Sequence, residues 1–445
     1  MNSLLNRKKS AAVGLLIVGL SLLSACSGGG GRSEEIVSQT FGVVAMSNVG
    51  SVGILDGQTQ TLTSIKFTGE LGSYGGGLFD VAITPDGKTT LVSNFGDAKV
   101  YFINTTNPAA PALLGSVTTS YMNDATPPEE VKVFAEDIAI TPDGRYALVT
   151  DGGFSPQIFV INIASRTITS VFDDTDAVSV PPISHQHQSV AVAPDGRTVL
   201  TVDYFGSKVH VLTLSADGHL TFVNALDASV PVWDPVASVD VPTFRPVNVE
   251  IAPDGKTAIV AGVPAEWKDQ AGTIPADMAF PVLKIASPGV VTINQILTPT
   301  ATLKGSQSVV FNRAGTKAYV MCTQPLPDPY PDDPNYPGPK NVIRVLNVTG
   351  PGTASDATVS IEVDIYGRSQ LFGVDTLAMD NVGRYLYVSN PTISGAKNYI
   401  EIVDTTTNTM VKQIAFANID IPDGATPPAY TSTEPVAAGI SFWRH

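Results

Sequence analysis

Residues 137–169 read DIAITPDGRYALVTDGGFSPQIFVINIASRTIT. An alternating apolar run through Ile138 and Ile140 meets a Thr-Pro-Asp-Gly turn, and a second run follows from Tyr146 to Val149. A third covers Ile158 to Ile163, and a weaker fourth comes after it. Period-two runs of four to six residues with turn residues between them predict short antiparallel strands. Pro142 pre-sets φ at the first turn position, and Gly144 accepts the positive φ that closes the hairpin.

The same phrase returns as DVAITPDGKTTLVSN (80–94), SVAVAPDGRTVLTVD (189–203) and NVEIAPDGKTAIVAG (248–262). Weaker copies are SVVFNRAGTKAYVMC (308–322) and TLAMDNVGRYLYVSN (376–390). The turn glycines Gly87, Gly144, Gly196, Gly255, Gly315 and Gly383 stand 57, 52, 59, 60 and 68 residues apart. Each interval holds four strands and one or two long loops, the pattern of a β-propeller. Residues 42–66 supply strands two, three and four of a blade without a first strand, and AAGISF (437–442) supplies a first strand without successors. Joined, the chain ends make a seventh blade, so the fold expected is an all-β, seven-bladed propeller with a composite closing blade and no open seam edge.

The N-terminus is a separate matter. A basic start with Arg7, Lys8 and Lys9 precedes an apolar run from Ala11 to Leu23, and then comes Leu-Ser-Ala-Cys at 23–26. That is a secretory signal rather than a membrane span, which needs roughly 20 apolar residues. The cysteine after Leu-Ser-Ala resembles the lipobox of bacterial lipoproteins. The resemblance implies cleavage after residue 25, acylation of Cys26, and anchoring of an extracytoplasmic domain to the cell envelope, in the outer membrane where the host has one. Residues 26–38 are a Gly/Ser-rich tether, and 39–445 form the propeller. Losing three basic residues with the signal takes the net charge from −15 to −18, which argues against nucleic acid as a partner. Cys322 has no second cysteine to pair with once Cys26 is acylated. It lies at the end of an apolar strand, as a buried inert thiol does.

Blade seven reads YLYVSN and then YIEIVDTTTNTMVKQI. Tyr387-Val388-Ser389-Asn390, followed by Ile402-Val403-Asp404 and Thr405–Val411, resembles the YVTN-type propeller repeat of surface-layer-like proteins and of the seven-bladed lactonase-type family. The resemblance covers nearly the whole mature chain and implies the fold. Some members are 6-phosphogluconolactonase-like enzymes, but no lactonase motif maps onto this sequence residue by residue.

Propeller geometry places first-to-second and third-to-fourth connections on one face, where they are short throughout. Second-to-third connections and blade crossings fall on the other, which collects every long insertion, and long loops on a rigid scaffold are where binding sits. Seven residues before each turn glycine stand Asp80, Asp137, Ser189, Asn248, Ser308 and Thr376, with Gly439 in the composite blade. One residue earlier stand Phe79, Glu136, Gln188, Val247, Gln307, Asp375 and Ala438. These positions ring the channel mouth. Asp80, Glu136, Asp137, Gln188, Asn248, Gln307 and Asp375 are therefore candidates to hold a ligand or a cation such as Ca²⁺ or Zn²⁺; the same groups serve equally to hydrogen-bond strand ends and channel water. Arg245 and Arg368 are the candidates to neutralise them.

His185 and His187, at alternate positions before blade four, could share one metal, but a third ligand is lacking and a solvated loop pair is the plainer reading. Trp233, Trp267, Tyr330 and Tyr336 fall in long-loop segments, where they stack on a ligand or pin their loops. No nucleophile elbow, P-loop or dinucleotide fingerprint is present. The leading functional expectation is a membrane-tethered extracytoplasmic scaffold binding a protein, glycan or small ligand on the long-loop face. The alternative is a lactonase-like or other metal-assisted hydrolase acting at the channel mouth.

Overall fold

The computed structural model describes residues 40–443 apart from 73–76, 124–125, 153–155, 174–185, 229–231, 235–238, 242–243, 265–278, 300–302, 304, 324–339, 367–375, 390–398 and 416–436. The described strands form seven four-stranded antiparallel sheets, each a blade of one β-propeller. Blade three shows the plan: Ala135–Ile140, Tyr146–Asp151, Gln157–Asn162 and Thr167–Asp173 pair in chain order from the axis outward. Blade one is composite, as the chain ends predict. Ala437–Phe442 pairs with Phe41–Met46, and Ser51–Asp56 and Thr61–Lys66 follow outward.

Three details differ from the sequence reading. The first strand of blade five, Phe244–Ile251, begins four residues before the repeat at 248–262. The blade-crossing segments are not plain connectors, because Ser120–Met122 pairs with Glu130–Lys132 and Val232–Asp234 with Val239–Val241 as small hairpins. Blade seven, whose strands two to four carry the clearest repeat residues, has the shortest described innermost strand, Leu377–Met379.

The apolar core lies between blades rather than at one centre. Leu91, Phe102, Ala147 and Phe159 pack blade two on blade three, and Leu148, Val160, Val199 and Leu212 pack three on four. Each blade is buried on both faces, which is why its inner strands carry apolar residues at nearly every position.

The Pro-Asp-Gly turns also contact one another. Gly144, Gly196, Gly255 and Gly315 hold φ between +66° and +69°, and a Cβ on any of them would lie 3.3–3.9 Å from the turn proline of the preceding blade. The turns thus form a staircase around one face, each glycine on the proline before it. Blade one has no such turn, because the strand ends at Phe442. Trp443 fills the vacant step: its ring packs on Gly87, its Nε1 donates to the Pro85 carbonyl (2.9 Å), and it stacks on Phe41 at 6.2 Å. The seam is tight elsewhere as well. Ser389 Oγ donates to the Ala438 carbonyl, and a Cβ on Gly439 would meet Asp80 Cα at 2.7 Å.

Trp443→Ala is therefore expected to cost about 3 kcal/mol in denaturant unfolding, the scale of a buried aromatic truncation. Removing residues 437–445 should abolish the single cooperative transition or cause self-association by size exclusion, because it bares the edge of Phe41–Met46. A truncated chain that stays monomeric and unfolds like the parent would contradict the closure.

Candidate functional site

The site begins with a backbone irregularity that period-two reading does not detect. In blades one to six the first-strand register shifts at one place: at Ala438–Gly439, Phe79–Asp80, Glu136–Asp137, Gln188, Val247 and Gln307. A β-bulge there frees consecutive side chains from strict alternation and re-aims them. The positions singled out in the sequence are these bulge residues and their neighbours, and those described are buried: Asp80, Glu136, Asp137, Gln188, Asn248 and Gln307.

In blades two to five the ring residue turns one oxygen toward the next blade. Asp80 Oδ2 accepts the Ile138 N–H (3.1 Å), and Asp137 Oδ2 accepts the Val190 N–H (2.7 Å). Ser189 Oγ accepts the Val249 N–H (3.3 Å), and Asn248 Oδ1 accepts the Val309 N–H (3.1 Å). The ring is thus a side-chain lacing from blade two to blade six. Ser308 Oγ and Thr376 Oγ1, which would continue it, are buried without a hydrogen bond among the described residues. The second strand adds a rung: Ser93 Oγ donates to the Glu136 carbonyl as Ser389 Oγ does to Ala438. The serine of the Val-Ser-Asn motif therefore serves the joint between blades.

Glu136 stands apart from this lacing. It is fully buried, and its Oε2 has no hydrogen-bond partner among the described residues. Burial, and then the charges of Asp137 and Asp151, hold its carboxyl well above the ordinary range. Burial also pushes Asp137 up to about 6, against the bonds from Val190, Ser189 and Asp80 that favour its charged form. Gly152 makes room for Glu136, since a Cβ there would sit 2.7 Å from Glu136 Oε2 and 2.9 Å from Phe95 Cε2. Phe95 is the middle of an aromatic ladder, with ring centroids 5.5 Å from Phe79 and 4.4 Å from Phe134. Phe134 is 42% exposed. Flanking the strand ends on the long-connection face, the ladder offers an apolar platform beside a carboxyl whose protonated form burial favours. Such an acid can donate a hydrogen bond or a proton to a ligand oxygen. Sequence reading missed the ladder because its three rings come from three separate segments.

The remaining candidates separate. Cys26, His185, Trp267, Tyr330, Tyr336, Arg368 and Asp375 lie outside the described residues, and Trp233 lies on the Val232–Asp234 strand. His187 is not in a loop. It is the first residue of His187–Val192, wholly buried, with its ring edge-to-face on His210 at 5.2 Å and Nδ1 3.3 Å from Thr201 Oγ1. His210 and Asp203 (3.8 Å apart) complete a polar cluster inside blade four, hidden in sequence because His210 takes an interior position of the third strand. Arg245 lies over the rings of Tyr204 and Phe205, at 5.1 and 5.6 Å. Among the described residues no three His, Cys, Asp or Glu side chains converge to hold a metal ion. Cys322 is a free, buried thiol whose pKa burial drives up, an inert state.

No protein-family model and no curated protein matches the sequence. Solved structures do resemble the fold. A functionally unknown protein from Desulfotomaculum acetoxidans is 17% identical, with TM-score 0.61 over 91% of this chain and 99% of that one. A proposed 6-phosphogluconolactonase from Bacteroides uniformis is 12% identical, with TM-score 0.59 and coverage of 91% and 99%. The periplasmic gluconolactonase PpgL of Pseudomonas aeruginosa is 14% identical, with TM-score 0.57 over the same shares. The chain is a seven-bladed β-propeller, and its structural neighbours include lactonase-like proteins.

The raised carboxyls give a pH signature. A carboxyl whose pKa is higher in the folded than in the unfolded chain stabilises the fold below its ordinary pKa, and this is lost as pH rises through the folded value. For Asp137 that window runs from about pH 4 to 6, and the raised carboxyl of Glu136 contributes with the same sign. Asp404, held near 2 chiefly by its Thr406 bond, works in the opposite sense but only below about pH 4. The melting midpoint should therefore be a few degrees higher at pH 5 than at pH 7.5, and Glu136→Gln should flatten the profile. A midpoint that climbs with pH across this window would show these carboxyls ionised in the fold.

Proposed function

We propose that this chain is a ligand-binding propeller of the bacterial cell envelope, tethered through an acylated Cys26 and engaging its ligand on the long-connection face. The aromatic ladder carries this reading. Phe134 presents an exposed ring stacked on Phe95, beside the buried acid Glu136, on the face where every long connection leaves and returns. An apolar platform with a hydrogen-bonding group at its edge suits a sugar ring or another ligand with one apolar face, and suits a glycan better than a flat protein surface. The anchor rests on the Leu-Ser-Ala-Cys sequence alone.

Two measurements test it. Cys26→Ser should move the protein from the membrane to the soluble fraction with its melting curve unchanged; retention in salt-washed membranes would reject the anchor. Against a panel of oligosaccharides, sugar acids and sugar lactones, Phe134→Ala should weaken the best binder about tenfold, the worth of one aromatic stack. Affinity unchanged by Phe134→Ala would move the site elsewhere.

A second reading, hydrolysis of a lactone or ester, is favoured by the unpaired acid at Glu136 and by the gluconolactonase neighbour. Here water would add to the acyl carbon as the acyl C–O bond breaks, Glu136 would protonate the departing oxygen, and the Glu136 carboxylate so formed would take up the proton the water loses. In a pH-stat assay with the same lactones, Glu136→Gln should then lower kcat at least ~100-fold. Equal rates in parent and variant would take Glu136 out of the chemistry, and no hydrolysis by the parent would leave binding as the function.

A further inference from the structure

The opposite face carries a cavity of its own. It runs along the propeller axis from the exposed turn prolines Pro85, Pro142, Pro194 and Pro253 down to Asp137, Ser189 and Asn248, and encloses about 640 Å³. That volume is in the range of small-molecule sites. Its width follows from one tier of side chains. Two residues beyond each ring position stand Ala82, Ala139, Ala191 and Ala378, with Val310 and Ser441 in two further blades. Small groups at that height leave the axis open. In blade five the same position is Glu250, a half-buried carboxylate in a tier otherwise free of charge.

Charge in the cavity is one-sided. Asp137 lies at its floor, Glu250 in its wall and Asp380 near its rim, against one basic group in the lining, Arg313. Arg313 replaces the turn proline of blade six and donates to the Asn381 carbonyl (2.9 Å). Glu250 and Asp137 are near enough that the charge of one raises the pKa of the other. The rest of the wall carries aliphatic and aromatic side chains, including Ile83, Ile140, Met379 and Phe311, with Asn381 and Ser441 as neutral polar groups among them.

We propose that this axial cavity binds an organic ammonium: an apolar body against the aliphatic wall and a cationic head at Glu250. A metal ion is the poorer occupant, because one carboxylate in an alanine tier does not supply the several oxygens a hard cation takes. An anion would meet Glu250 and Asp137 inside low-dielectric walls. Glu250 keeps a polar interaction within the protein, and a carboxylate has lone pairs to accept an ammonium in addition. The chain's net charge of −15 also draws cations toward the opening. This site lies across the ring from the ladder at Phe134 and stands or falls independently of it.

The test is calorimetric titration of the full chain with three ligands of one length: hexylammonium, 1-hexanol and hexanoate. Hexylammonium should bind at least about tenfold more tightly than either of the others. Glu250→Gln should bring it down to the level of hexanol, and Ala139→Phe, which fills the tier, should remove binding of all three. Because a new ring could disturb packing, each variant is also melted, and Glu250→Gln alone suffices if Ala139→Phe unfolds. Binding of hexanol or hexanoate as tight as that of hexylammonium, an unchanged Glu250→Gln, or no heat with hexylammonium would each overturn the proposal.

Discussion

One hydrogen bond, repeated, holds the blades in phase: a side-chain oxygen at the bulge of one inner strand accepts the backbone N–H of the next blade's inner strand. Asp80, Asp137, Ser189 and Asn248 perform it in succession. Those amides face the inner edge of the ring, where no further strand exists to pair with them. Without the acceptor each would be a buried donor without a partner, a loss of about 1–3 kcal/mol. The bond also fixes how closely adjacent inner strands approach. That spacing lets each turn glycine rest on the preceding turn proline and leaves only a glycine's width beside Asp80 at the seam, where Gly439 stands.

The same bond divides the labour of two adjacent carboxyls. Asp137 spends one oxygen on Val190 and is therefore part of the frame. Glu136, one residue earlier across the bulge, has its backbone carbonyl held by Ser93 and its side chain left unlaced. Environments that push neighbouring acids toward different roles are how a rigid scaffold presents a reactive group. The polar ring is thus mostly a joint, and the chemically available member is the one that the joint does not use.

Much of this was legible in the sequence, for identifiable reasons. Repeated Pro-Asp-Gly turns and alternating strands are local signals, so the blade count and the composite closing blade could be read directly. The ring was also legible as a set of positions, since the repeats align. What those residues do was not. A β-bulge leaves no mark in apolar periodicity, and whether Asp137 faces the axis or the next blade depends on it. His187 looked like a loop residue because prolines and polar residues precede it, yet strand pairing with Asp203 begins there and buries it. The Phe79–Phe95–Phe134 ladder joins a strand, a turn and a connector, so spacing along the chain could not reveal it.

The composite blade has a consequence for the order in which the protein folds. Gly42 pairs with Phe442, a separation of 400 residues, while nearly every other strand pairs with its sequence neighbour. Six blades can zip up locally as they emerge, at little entropic cost. The first three N-terminal strands must wait, their leading edge unpaired, until the last few residues arrive. The ring therefore cannot close until the whole chain is available, so the last strand to appear, Ala437–Phe442, is the one that turns a row of local blades into a single cooperative unit.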